Sequence, residues 1–301
     1  MRSFQFRGQK FGGLPRNYWR RRNAELDPEI DYLLIYRNIS QYEFPWETLQ
    51  ALSLALLRTF AVPSIGELLD RTGEFTSNTQ KRYDDTSLLL ESPTTHGLDS
   101  SAGRTAIRRI NQMHRVHSIP NDDLRYVLCT FVVVPVQWID QYGKRPLDDG
   151  ELVATVRYYQ ELGRRMAIRD IPADYAEFVD TMDRYEVEHF DFRPGSRRVA
   201  DATLALLTSF YPRGLARMID LTSRAVMDQR LLTGLGYPRP ATPIVTLTQR
   251  GLMLRGALLR LFPARRSPAK VANYQRMRSY PGGYSLAHLG TFPPSEEDQL
   301  I

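Results

Sequence analysis

The residues best placed to do chemistry lie between Gly103 and His117, which read G-R-T-A-I-R-R-I-N-Q-M-H-R-V-H. At about 3.6 residues per turn, Ile107, Ile110, His114 and His117 share one helical face, and Ala106 and Met113 widen its apolar stripe. Arg104, Arg108 and Arg115 form a second stripe, with Asn111 at the boundary. The pattern turns two imidazoles towards the core and edges them with guanidinium groups. Neutral imidazole ligates iron, and arginine binds carboxylates through paired hydrogen bonds. Histidines hydrogen-bonded within a core, flanked by solvated arginines, would give the same spacing.

A second candidate is His189, which closes the stripe Phe178, Met182, Tyr185, His189, with Glu186 and Glu188 nearby in sequence. It reads either as a satisfied core residue or as a ligand in a lipophilic pocket. His114 and His117, three residues apart, could hold a non-haem metal if a carboxylate joined them. His96 and His288 fall in expected loops. Asp84-Asp85-Thr86 reads as a helix cap, with an acid–base role as the alternative. The single cysteine, Cys129, lies in an apolar run and reads as a buried small hydrophobe.

Helices must position these groups. Pro45-Trp46-Glu47 reads as a helix start, followed by an apolar run from Thr48 to Phe60 that Pro63 interrupts. Ser64 is placed to cap a helix over Ile65–Leu69. Residues 73–81 and 92–101 read as loops on either side of a short helix from Tyr83 to Leu90. Asn121 begins another helix, with Asp122 and Asp123 in its first turn, running through Tyr126–Ile139 with a kink at Pro135. Leu152, Val156, Tyr159, Leu162 and Met166 repeat at helical spacing. Later helices are expected over Val199–Phe210, Leu215–Leu235 and Leu247–Leu261. From Pro263 the chain is rich in Pro, Gly and Tyr and reads as an extended wrap. Few runs alternate apolar and polar residues, so the expected class is all-α, a single multi-helix domain. Its bounds are 26–292, after an irregular basic arm at 1–25 and before a disordered tail at 293–301.

Composition narrows the function. The 301 residues are 42% hydrophobic and 11% aromatic, enough for one large folded core. The net charge of +6 comes almost entirely from arginine, spread along the chain, and does not gather into a nucleic-acid-binding element. With one cysteine, neither an internal disulfide nor a thiolate metal cage can form. There is no phosphate-binding Gly-rich loop, no dinucleotide fingerprint, no His-Glu-x-x-His helix and no Gly-x-Ser-x-Gly elbow. No apolar run reaches the roughly 18 residues of a membrane span, so a cytoplasmic protein is expected. The helix around Leu252–Phe262, with Arg250, Arg255, Arg260, Arg265 and Arg266, has the basic amphipathic pattern that lies on anionic lipid, and peripheral membrane contact is a further expectation.

Several blocks, in order, resemble the MpaB family. They include F-P-W-E-T (Phe44–Thr48), R-T-F-A-V-P-S-I (Arg58–Ile65), K-R-Y-D-D-T (Lys81–Thr86), G-R-x-A-I-R-R-I-N-x-M-H (Gly103–His114) and I-P-N-D-D (Ile119–Asp123). They continue through Y-V-L-C-T-F-V-V-V-P-V-Q-W-I (Tyr126–Ile139), G-R-R-M-A-I-R-D-I-P (Gly163–Pro172), E-V-E-H-F (Glu186–Phe190) and S-Y-P-G-G-Y (Ser279–Tyr284). The resemblance implies a globin-like helical core and a haem b oxygenase that oxidises or cleaves a hydrophobic, prenylated substrate with dioxygen. Many bacterial relatives carry W-V-H-A-T-L in the helix after the first histidine, and that histidine is their expected axial ligand. Here Leu128 stands in its place. The iron ligand is then expected to be His114 or His189, with His117 the third option. Arg104, Arg108 and Arg109 would hold a propionate or polarise bound oxygen, and Asn111 and His117 would serve the reaction. The other reading is a catalytically silent protein that holds a lipid or prenyl ligand in the same pocket.

Overall fold

Proline and capping residues set most of the helix starts. In a computed structural model that describes residues 13–274 and 276–291, together with the backbone of 5–6 and 9–10, the first elements are two short strands, Gln5–Phe6 and Gln9–Lys10, paired antiparallel. Helix α1 (Tyr18–Ala24) falls within the expected irregular arm. Next come α2 (Tyr32–Arg37), a π-helical turn (Asn38–Glu43), α3 (Pro45–Phe60) and α4 (Pro63–Thr72). Pro45 opens α3 and Pro63 opens α4, where a missing N–H costs nothing, and the two helices meet at 96°.

The short α5 (Glu74–Ser77) and the long α6 (Thr79–His96) occupy what sequence marked as loop, short helix and loop. Pro93 does not stop α6, and Gly97 ends it at φ +103°. Then follow α7 (Ser101–Val116), capped by the Ser100 hydroxyl accepting from the Gly103 N–H at 2.9 Å, and α8 (Asn121–Tyr142), unbroken through Pro135. A capping box of Asp148 and Glu151 starts α9 (Asp149–Arg165), and Asp174 caps α10 (Tyr175–His189). The last four helices are α11 (Pro194–Ser209), α12 (Ala216–Ala225), α13 (Gln229–Gly234) and α14 (Thr242–Leu259). The single helix expected over Leu215–Leu235 is divided, because Asp228 leaves helical geometry to cap α13 through the Leu231 N–H. The chain is one all-α domain.

Helix α8 is central. It packs on α3, α9, α10 and α14, and Tyr126, Cys129, Val132 and Val133 are fully buried along it. Each such side chain stabilises the fold by about 1.5–3 kcal/mol. Gly163 lets α9 approach closely: a Cβ there would lie 2.7 Å from Leu128 Cδ2 and 2.8 Å from Ile171 Cδ1. Leu128 is itself core. Burial pushes the Cys129 thiol up to about 12, so it is an inert apolar neighbour.

Residues 263–274 and 276–291 cross the domain as a strap, and α6 ties it down. Asp84 Oδ2 accepts from the N–H of Arg278 and Ser279 and from the Ser279 hydroxyl, at 3.1, 2.9 and 2.7 Å. Asp85 accepts from Gly290 N–H at 3.0 Å, from Lys81 at 2.6 Å and from the Tyr280 hydroxyl. Both carboxylates are fully buried within α6. They hold the strap and do not cap a helix, which corrects the reading of Asp84-Asp85-Thr86. Gly290 sits at φ +97° against Met113 of α7, a position closed to larger residues.

Candidate functional site

Helices α6 and α7 lie side by side, sealed by Leu88, Leu89, Ala106, Ile110 and Met113. Along this seam α7 brings His114 and α6 brings Arg82. Burial, and then the positive field of Arg82 and the neighbouring His117, push the His114 imidazole down to about 4. At neutral pH the ring is therefore uncharged, with a nitrogen lone pair available. It makes no hydrogen bond among the described residues.

Arg82 is the more unusual group. Burial holds its guanidinium below the ordinary arginine value, and Asp85 and Glu74 only partly oppose this. The guanidinium makes no hydrogen bond or ion pair among the described residues, and it lies over the Phe75 ring, 5.4 Å from guanidinium carbon to centroid. Both side chains keep part of their surface accessible although they lie deep in the fold. An interior guanidinium that Asp85 and Glu74 compensate only in part, beside a neutral imidazole with no hydrogen bond among the described residues, suits a ligand that brings negative charge and accepts an imidazole nitrogen.

One turn beyond Arg82, Thr86 lines a cavity of about 130 Å³. Leu49, Leu52 and Leu56 of α3, Leu90 of α6 and Phe131 of α8 supply its apolar wall. A tyrosine group from α2 and α9 shapes another side: Tyr36 stacks on Tyr158 at 4.2 Å and shares a 2.7 Å hydroxyl contact with Tyr159. Val271 and Tyr274 of the strap also line the cavity, and the Val271 N–H donates to Glu91 Oε1 at 2.5 Å.

The other sequence candidates separate. Arg104, Arg108 and Arg115 are exposed, a solvated flank to α7, and Arg104 donates to the Asp99 carbonyl. Arg109 is buried, but it is engaged by the Leu289 carbonyl at 2.6 Å and by Gln112, so it anchors the strap. Asn111 donates to the Arg165 carbonyl at 2.9 Å and ties α7 to the end of α9. His117 sits half-buried at the C-terminal cap of α7, within the field of His114. His189 does not face the core. It is exposed at the end of α10, stacked on Tyr185 at 4.0 Å, with Nδ1 3.0 Å from the Tyr185 carbonyl oxygen. His96 and His288 are exposed. Sequence reasoning missed Arg82 because the residues before it read as loop. Its place in the K-R-Y-D-D-T block was the available signal.

The catalytic-domain family described as ER-bound oxygenase mpaB/B′ and rubber oxygenase matches residues 44–257. The chain belongs to this family. The ER-bound oxygenase mpaB′ of Penicillium brevicompactum is 29% identical over 269 residues, covering 83% of this chain and 63% of that protein. The ER-bound oxygenase mpaB of the same species is 30% identical over 244 residues, covering 74% and 62%. Its namesake from Penicillium roqueforti (strain FM164) is 31% identical over 226 residues, covering 67% and 74%. The chain thus spans less than two thirds of the length of the first two relatives. The family match includes Arg82, His114 and Leu128, so the interior site lies inside the shared catalytic domain. No group of three or more His, Cys, Asp or Glu among the described residues could cage a bare metal ion. A neutral imidazole and a guanidinium are the donor types that hold an iron group with acidic substituents, and neither side chain lines the 130 Å³ cavity.

Proposed function

We propose that the chain is an oxygenase that holds haem b through His114 and oxidises a hydrophobic small molecule with dioxygen. The observation that carries this reading is the uncharged His114 ring, with no hydrogen bond among the described residues, beside the only partly compensated Arg82 cation. When bound, the cofactor supplies activation of dioxygen. Within the protein, His114 offers a neutral nitrogen at pH 7, and Arg82 offers a cation to a propionate carboxylate. Leu49, Leu52, Leu56 and Phe131 exclude water and orient an apolar substrate near Thr86. Membership of the oxygenase family supports the reaction class. The site favours His114 over the surface-facing His189 as ligand, and leaves Arg109, Asn111 and His117 as positioning groups around it.

A visible absorption spectrum of the chain purified after haem supplementation tests this, together with oxygen uptake on addition of an apolar alkene. A Soret band and stoichiometric iron are expected. A colourless, iron-free protein would overturn the reading and favour the catalytically silent lipid-binding alternative, which the packing of Leu128 against Gly163 motivates.

Peripheral membrane contact is a second part of the proposal. Leu247, Leu254 and Leu258 project from one side of α14, and Met253, Leu261 and Phe262 extend the exposed apolar surface. Arg250 is exposed beside them, whereas Arg255 is held by Glu47 and the Trp46 ring. Among the described residues no single helix is long and apolar enough to cross a membrane, and the relatives are named ER-bound. Flotation with anionic liposomes should recover the chain at low salt, and Leu254→Asp with Leu258→Asp should abolish recovery. No flotation at any salt concentration would remove this part.

A further inference from the structure

A second cavity, of about 190 Å³, lies between α3, α8, α12 and α14. Its lining differs in kind from the first. It contains no carboxylate, and it contains three sets of donors without a matching anion. Gln50 Nε2 and Trp138 Nε1 are buried and have no hydrogen-bond partner among the described residues. Arg276 donates to the Tyr211 hydroxyl at 2.9 Å and packs on the rings of Phe210 and Tyr211, with no ion pair among the described residues. Buried donors left without acceptors are costly and rare in folded proteins.

The two cavities meet. Ser53 of α3 lines both. Tyr83, on the wall of the first, places its hydroxyl near enough to Ser53 and to Arg276 of the second to feel both, yet in hydrogen-bond geometry with neither. Ser53 and the Tyr83 hydroxyl therefore stand between an apolar chamber and a donor-lined one. We infer that the two chambers form one extended site for an aliphatic carboxylate, with the chain in the Leu49–Leu52–Leu56 chamber and the carboxylate among Gln50, Trp138 and Arg276. Anionic oxygens satisfy the donors, and the apolar wall takes the chain. The inference rests on the oxygenase reading only in calling this ligand a substrate; the binding site stands on its own geometry.

The test is calorimetric titration of the full chain with hexadecanoate, octanoate and the methyl ester of hexadecanoic acid. Hexadecanoate should bind one to one. The ester, which cannot offer an anion, should bind at least about tenfold more weakly, as should octanoate, which cannot fill both chambers. Arg276→Gln should weaken hexadecanoate about tenfold and leave the ester unchanged. Ser53→Leu should bring hexadecanoate down to the octanoate level. Equal affinity for acid and ester would overturn the proposal, as would unchanged binding in Arg276→Gln or no binding of hexadecanoate. The comparisons on the unaltered chain hold even if a variant misfolds. Binding without a Soret band would keep this site and remove the oxygenase. A Soret band without binding would remove this site alone.

Discussion

Two interior arginines, Arg58 of α3 and Arg82 of α6, face opposite circumstances. Arg58 donates to Glu186 Oε1 through Nε at 2.7 Å, and its two terminal nitrogens reach Glu186 and Asp228. Glu186 also accepts from the Tyr126 hydroxyl at 3.0 Å. Burial alone would lower the Arg58 pKa, but the bonds to Glu186 outweigh it and raise the value. Arg82 is less fully enclosed, Asp85 and Glu74 offset its burial only in part, and its pKa falls. The first arginine is a scaffold pin joining α3, α10 and α13. The second makes no hydrogen bond through its guanidinium among the described residues, and its burial is only partly offset. The lesson is that a buried charge marks a site when its partner is missing, and marks structure when its partners are complete.

Breaking the complete network should have the largest effect. Glu186→Gln, which leaves Arg58 short of charge in the interior, should cost about 3–5 kcal/mol in urea unfolding at pH 7. A change under 1 kcal/mol would show that the pin carries little. Asp84→Ala should cost about 2–3 kcal/mol, because the donors of Arg278 and Ser279 lose their common acceptor, and protease should then cut within 263–291 before the core.

The incomplete site should respond differently. His114 has an ordinary value of 6.5 and a folded value of about 4, so on acidification the unfolded chain takes the proton first. Its contribution is whole above pH 6.5 and is lost as pH falls towards 4. Given its partial exposure, the loss should be about 1–2 kcal/mol, and His114→Phe should not show it. Parallel pH profiles for the two proteins would contradict the placement of the ring. The smallest stability effect belongs to Arg82→Met, within about 1 kcal/mol of neutral, because its guanidinium holds no hydrogen-bonded partner and Asp85 keeps Lys81 and Gly290. The same variant should lose cofactor retention. A destabilisation as large as that of Glu186→Gln would erase the contrast between the two arginines.

Much of α7 was legible, because Ala106, Ile107, Ile110 and Met113 recur at helical spacing and all four are buried. Helix α6 was not. Its polar opening and Pro93 hide a single helix, and Asp84 finds its partner in Arg278, 194 residues away, beyond the reach of local pattern. His189 keeps the period of its stripe but sits at the end of α10, where the core stops and the ring rests on Tyr185. His114 could be named from spacing, but its lack of a hydrogen bond could not. Arg82 became informative only once α6 placed it against α7.

If the His114 nitrogen holds iron, the haem spectrum depends on that one ring. Soret absorbance and bound iron should be measured together in haem-supplemented wild type, His114→Ala, His117→Ala and His189→Ala. The account predicts about one iron per chain in the wild type and in the last two variants, with both signals lost in His114→Ala. An unchanged Soret band in His114→Ala, or its loss in His189→Ala instead, would contradict it.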